Sequence, residues 1–135
     1  MFSWYPKSLE QKKMNNNKKT LVLGASPNVS RVSNQAVHRL QNRGYEVVPV
    51  GIRNGEIAGI DIQKGQPDVE GVDTITLYLS AKNQIQYYDY ILGLQPKRLI
   101  FNPGAENMEL YKMAIEKGIA VENACTLVML SVGTY

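Results

Sequence analysis

The chain has 135 residues, 44% of them hydrophobic and 20% charged, with a formal net charge of +3. That profile fits one globular domain able to bury roughly two-thirds of its unfolded surface; no apolar run approaches the ~20 residues of a membrane span, and Met1 to Lys13 lacks the apolar core of a secretory leader. The single cysteine excludes an intrachain disulfide and suits a reducing cytoplasm. With Lys12, Lys13, Lys18 and Lys19 set aside the remainder is close to neutral, so a nucleic-acid footprint is not expected and a small anionic ligand is.

Residues 1–19 read as an extension preceding a single domain over 20–135. Asn15-Asn16-Asn17 and the surrounding lysines build no packed element; Phe2, Trp4 and Tyr5 are available to dock on a neighbouring surface, and Met14 is an alternative natural start. Leu21 to Leu23 is a short, fully apolar run of the kind found in buried parallel strands. It ends on Gly24, Ala25 and the turn-prone Ser26-Pro27-Asn28. Val32, Ala36, Val37 and Leu40 then recur at helical spacing up to Gly44.

Glu46 to Val50 is the second strand, and Pro49 inside it predicts a position where no ladder donor is needed. Ile57-Ala58 and Asp61-Ile62 read as short edge pieces, and Gln66-Pro67-Asp68 as a turn. Thr74 to Leu79 is a β-branched run. Ser80 is placed to cap a helix whose inner face is Ile85, Tyr88, Ile91 and Leu92, stopped by Gly93 and Pro96. Arg98 to Asn102 forms another strand, Pro103-Gly104 a turn, and Leu110, Met113, Ala114 and Lys117 a helix closed by Gly118. Ile119 to Glu122 is the last strand, and Ala124 to Val132 a closing helix.

Strands alternating with helices predict an α/β fold: a Rossmann-like parallel sheet with helices on both faces. Ligands of such sheets sit at the carboxyl ends of the strands, where strand order reverses. Loops 24–31, 51–55 and 78–83 converge there, with 102–105 beside them. Unpaired N–H groups where the first strand passes into its helix offer an anion cradle. A dinucleotide site normally carries G-x-G-x-x-G and an acidic residue after the second strand. Here Gly24 is the only glycine of the first loop, and Gly51-Ile52-Arg53 follows the second strand. Arg53 is either a solvated loop residue or the partner of a phosphate on a ribose, a group carried by both NADP and coenzyme A.

Leu23-Gly24-Ala25-Ser26, Ser30-Arg31, Gly44-Tyr45-Glu46-Val47-Val48-Pro49-Val50, Arg53 and Asn123-Ala124-Cys125 together resemble the small single-domain CoA-binding proteins, which are similar to the N-terminal domain of the succinyl-CoA synthetase alpha subunit. The resemblance covers about residues 19–133. It implies binding of coenzyme A or an acyl-CoA, with the diphosphate on Gly24, Ala25, Ser26, Pro27 and Asn28, close to Arg31. It further implies the 3′-phosphate near Gly51 and Arg53, and the pantetheine along Leu79-Ser80 and Asn102-Pro103-Gly104. The chain departs from the family in having Gly51-Ile52 where relatives have Asn-Pro, no arginine at Leu79 or Ser80, and Asn123-Ala124-Cys125 in place of Asp-Arg-Cys.

Binding without catalysis is the leading expectation; an NADP-dependent oxidoreductase or sensor and a degenerate nucleotide-fold scaffold are the alternatives. His38, the one histidine, stands along the first helix, away from the loop, and no Cys/His cluster suggests a metal. Cys125 reads as a small buried residue at a helix start, or as a thiol able to pair with that of CoA. Glu106 and Glu109 read as solvated. Helical spacing buries Tyr88 and exposes Tyr87 and Tyr90, a candidate stacking surface. A protein partner or a homo-oligomer is compatible with all of these readings.

Overall fold

The computed structural model describes residues 17–135, so the expectations placed on Phe2, Trp4, Tyr5 and Met14 lie outside the described residues. Five four-residue strands, β1 (Thr20–Leu23), β2 (Val47–Val50), β5 (Thr74–Leu77), β6 (Arg98–Phe101) and β7 (Ala120–Asn123), pair in the order β2-β1-β5-β6-β7. Every pairing is parallel, with Leu23 in register with both Val50 and Leu77. This is the Rossmann-like sandwich expected from the alternation of elements. Two further two-residue strands, β3 (Glu56–Ile57) and β4 (Ile60–Asp61), stand apart from it. The helices are α1 (Val32–Asn42), α2 (Ala81–Gln84), α3 (Tyr88–Gly93), α4 (Met108–Glu116) and α5 (Thr126–Val132), with a 3₁₀ turn at Ile85–Tyr87 between α2 and α3. Among the described residues no helix is long and apolar enough to cross a membrane.

Alternate residues of β1, β2 and β6 feed two cores, while β5 and β7 add apolar side chains to the first alone. Leu21, Leu23, Val48, Val50, Ile75, Leu77, Leu99 and Phe101 pack with Tyr87, Ile91, Leu110 and Ala114 on one face. Val22, Val47 and Ile100 pack with Val37, Leu40, Met129 and Leu130 on the other. Strands covered on both faces must be apolar throughout; the buried threonines of β5 are tolerated because each hydroxyl is paired. Thr74 donates to Asp73 Oδ1 at 2.7 Å, and Thr76 shares a 2.7 Å bond with the Thr126 hydroxyl.

Pro49 sits where its missing N–H costs nothing. Gly51, two residues on, points its N–H away from β1 to Gln63 O at 3.0 Å, and Gln63 N donates to Pro49 O at 3.0 Å, so position 49 faces the outer edge of the sheet, where the ladder to β1 asks for no donor from it. The segments around Ile57 and Ile62 differ from the expected edge pieces. They do not extend the sheet: β3 and β4 pair antiparallel with each other, through a two-residue turn in which Ala58 (φ 53°) and Gly59 (φ 80°) are both left-handed. Ile57 and Ile62 then close the second core beside α1.

The segment after β5 is also corrected. The continuous helix with Ile85 and Tyr88 inside is instead broken into α2, a 3₁₀ turn and α3. Ile85 is 59% exposed, and the buried positions are Gln84, Tyr87 and Ile91. Gln84 is the physical reason. Its Nε2 donates to Leu79 O at 2.8 Å and Ala105 O at 2.7 Å, and its Oε1 accepts from Asn107 Nδ2 at 2.9 Å. A fully satisfied buried amide outweighs an apolar stripe in setting the rotation of a short helix.

Candidate functional site

The strand order turns about β1: β2 lies on one side and β5 on the other. The crevice beyond the carboxyl ends of these three strands is where open α/β sheets hold ligands, and here it contains a cleft of about 380 Å³. One wall is Gly51, Ile52 and Arg53 after β2; the opposite wall is Tyr78, Leu79, Ser80, Asn83 and Tyr87 after β5; Gly24, Ala25, Ser26 and Arg31 form the end. A groove of about 760 Å³ at the other pole, lined by Asp89, Lys97, Met113 and Lys117, lies at the amino ends of β6 and β7 and carries both signs of charge.

Two glycines make the cleft possible. Gly24 adopts φ +98°, and a Cβ there would stand 3.2 Å from Leu79 Cδ2 and the Tyr78 carbonyl carbon. A Cβ on Gly51 would lie 2.1 Å from Ala25 O. The β1–α1 loop and the end of β2 therefore touch backbone to backbone.

Hydrogen-bond accounting narrows the expected cradle. The N–H groups of Gly24 and Ala25 both donate to Val50 O at 2.9 Å, so they hold the loop to β2 and are not bare. Asn28 N donates to Ser26 Oγ at 3.1 Å, Ser30 N to Asn28 Oδ1 at 3.0 Å and Arg31 N to Asn28 O at 3.0 Å. Asn28 thus folds the loop on itself, and neither Pro27 nor Asn28 lines the cleft. Asn34, not foreseen in the sequence, adds Nδ2 to Ser26 O at 2.9 Å and fastens the loop to α1. Of the loop's amides on the cleft wall, Ser26 N has no partner among the described residues. α1 begins beside it with no side-chain cap and no acidic residue in its first turn, leaving the positive end of the helix uncompensated.

Charge has the same sense. Arg31 and Arg53 both line the cleft, both are exposed, and neither pairs with a carboxylate among the described residues. No acidic side chain lines the cleft. Tyr78 contributes its body to the wall while its hydroxyl is sealed from solvent, and burial pushes its pKa up to about 12.

The structure keeps the third expected segment apart. Asn102 is 2% exposed; its Nδ2 donates to Thr76 Oγ1 at 2.7 Å and Leu77 O at 2.9 Å, and its Oδ1 accepts the Thr126 N–H at 2.8 Å. That carboxamide ties β5 to the start of α5. Pro103 and Gly104 are exposed in the following turn, outside the cleft lining, and Gly104 N donates to Glu106 Oε1 at 2.9 Å. Glu109 accepts from the Tyr88 hydroxyl at 2.9 Å, so both carboxylates have protein partners. Cys125 is half-buried at the start of α5, and His38 is exposed on α1; neither lines the cleft. No group of three potential metal ligands occurs among the described residues.

Of the sequence-level site residues, the fold brings together Gly24, Ala25, Ser26, Arg31, Gly51, Arg53, Leu79 and Ser80. It adds Ile52, Tyr78, Asn83 and Tyr87. Asn83 lies within the expected loop 78–83, whereas Tyr87 reaches the cleft because the segment is rotated from the face its apolar spacing predicts.

Comparison with known proteins agrees with this architecture. The chain is 51% identical to an uncharacterised protein of known crystal structure, with a TM-score of 0.86 over 88% of this chain and 98% of that one. It shares the fold of a hypothetical protein from Pyrococcus horikoshii OT3, with a TM-score of 0.78 and 23% identity over 93% of this chain and 89% of that one. It is 25% identical over 105 residues to the uncharacterized protein YneT of Bacillus subtilis (strain 168), covering 77% of this chain and 78% of YneT. The family model described as the CoA binding domain matches residues 18–131, and the chain belongs to that family.

Proposed function

We propose that the cleft binds coenzyme A or an acyl-CoA through the nucleotide end of the molecule. The observation that carries the reading is the pair Arg31 and Arg53, unpaired on an acid-free cleft at the reversal of strand order. The diphosphate lies against the free Ser26 N–H, the start of α1 and Arg31; charge-assisted bonds of this kind are the strong ones. Arg53 takes the 3′-phosphate. The pantetheine leaves along Leu79 and Ser80. Gly24, Ala25 and Gly51 serve by shape, since their amides or hydrogens are committed to bringing the walls together.

An arginine after the second strand suits the 2′-phosphate of NADP as well as the 3′-phosphate of CoA, and membership of the CoA-binding family favours the second. Titration calorimetry of the whole chain with CoA, dephospho-CoA and NADPH tests the reading. The expected result is saturable binding of CoA, tighter than dephospho-CoA by about tenfold, the equivalent of one charge-assisted contact. Binding of NADPH with none of CoA would overturn it.

A further inference from the structure

The two outer strands of the sheet are finished differently. At β2 the outward side is blocked: Pro49 has no N–H to offer, and Gln63 bonds to both Pro49 and Gly51 along it. β7 carries no such device. The N–H groups of Ala120 and Ala124 donate to Lys97 O at 3.0 Å and Phe101 O at 3.1 Å, so residues 120, 122 and 124 face β6. Val121 and Asn123 between them turn their N–H and C=O groups away from the sheet, and those N–H groups have no partner among the described residues. The strand contains no proline and no lysine, and its one charge, Glu122, is held by Arg98 at 3.4 Å. Both covering layers leave apolar side chains beside this edge. On α4, Glu109 and Met113 turn towards α3, the first through the Tyr88 hydroxyl at 2.9 Å and the second in a groove shared with Leu92. Met108, Tyr111 and Ile115 recur at helical spacing on the opposite side, with Met108 65% and Ile115 53% exposed. On α5, Ser131 turns to α1, where it accepts from Arg39 at 3.2 Å, and the exposed Val132 follows it about 100° further round, on the side away from α1.

We propose that β7 is the seam of a homodimer, in which a second copy of this chain adds its own β7 antiparallel and doubles the five-stranded sheet. An edge with free N–H and C=O groups at alternate residues needs another strand, and two identical edges satisfy each other when they run antiparallel about a two-fold axis. Two registers use the outward groups. An axis at Glu122 sets the two Glu122 side chains directly opposite each other, which like charge disfavours. An axis at Val121 sets Val121 against Val121 and Ala120 against Glu122, and is the better of the two. The helices match the same axis. The Ile119 N–H bonds to Ala114 O at 3.0 Å; Val121 lies two residues, ~6.6 Å, further along the strand, the rise of about four residues of α4 back towards its start. The axis therefore passes near Tyr111, midway between Met108 and Ile115, so that Met108 of one copy meets Ile115 of the other. This match favours a second copy over an unrelated extended peptide, which would use the backbone groups of β7 and leave those side chains in water.

Sedimentation velocity of the full chain over a dilution series tests the proposal, and none of its outcomes depends on the ligand of the cleft. Wild type is expected to sediment at twice the mass of one chain at the concentrated end of the series. Val121→Pro removes an N–H that bonds nothing within the chain, so the ladder to β6 is kept. It is expected to raise the dissociation constant of the dimer by about tenfold or more. Ile115→Glu changes an exposed side chain and is expected to weaken the dimer on the same scale with its urea midpoint unchanged. That variant keeps the proposal testable should Val121→Pro fail to fold. Wild type that stays a monomer at every concentration overturns the proposal, and so does a dimer whose dissociation constant is the same in Ile115→Glu as in wild type.

Discussion

At position 51 the absence of a side chain is a structural requirement. A Cβ there would stand 2.1 Å from Ala25 O, a backbone atom with no rotamer to yield. Gly51→Ala is therefore expected to destabilise the fold by about 1–3 kcal/mol in urea unfolding. It should also weaken ligand binding, because the displaced segment is the one whose amides hold Val50 O. That Gly24, Gly51 and Arg53 stand together is legible in the sequence, because each follows a strand and the strand ends of this fold converge on one crevice. The sequence could not reveal where the side-chain amides go. Asn34, Gln84 and Asn102 each bond across at least eight residues of chain, and their type alone does not distinguish a buried tie from a ligand contact. The expected place of Asn102 is the pantetheine path; in the structure its carboxamide joins β5 to α5.

The short elements follow their own composition where burial is uniform and depart from it where one polar group decides. β1, β2, β5 and β6 stand where apolar or β-branched runs predict them, because a strand buried on both faces shows an unbroken signal, whereas β7, with exposed Ala120 and Asn123, carries a weaker one. The segment from Ala81 to Gly93 breaks and rotates because Gln84 must stay between Leu79 and Ala105. Gln84→Leu keeps the bulk but leaves those carbonyls and the Asn107 amide short of partners, at about 1–3 kcal/mol for each buried group left unpaired. Urea unfolding is expected to show a loss on that scale. A stability equal to wild type would mean that the apolar stripe alone sets the helix. The short pieces around Ile57 and Asp61 are legible in the sequence, but their pairing as a hairpin is not, because its turn uses Ala58 in a left-handed conformation that alanine seldom adopts.

Over the whole molecule, the placement of β2 and β5 on either side of β1 turns separate loops into one cleft. The same packing buries phenols. Burial raises the pKa of Tyr78 to about 12 and also raises that of Tyr135, above the ordinary value of about 10. A folded state that keeps a proton the unfolded chain releases loses stability as pH rises between those values. Stability in urea is expected to be insensitive to these groups below about pH 10 and to fall from there towards pH 12. Tyr78→Phe should flatten that fall; an unchanged slope would place the alkaline sensitivity elsewhere.

The central claim is that one exposed arginine after β2 recognises a phosphate on the ligand's ribose. Calorimetric titration of wild type and Arg53→Ala with CoA and with dephospho-CoA measures that contact by difference. The account predicts that the substitution weakens CoA by about tenfold while dephospho-CoA changes little. Equal losses for the two ligands would contradict it.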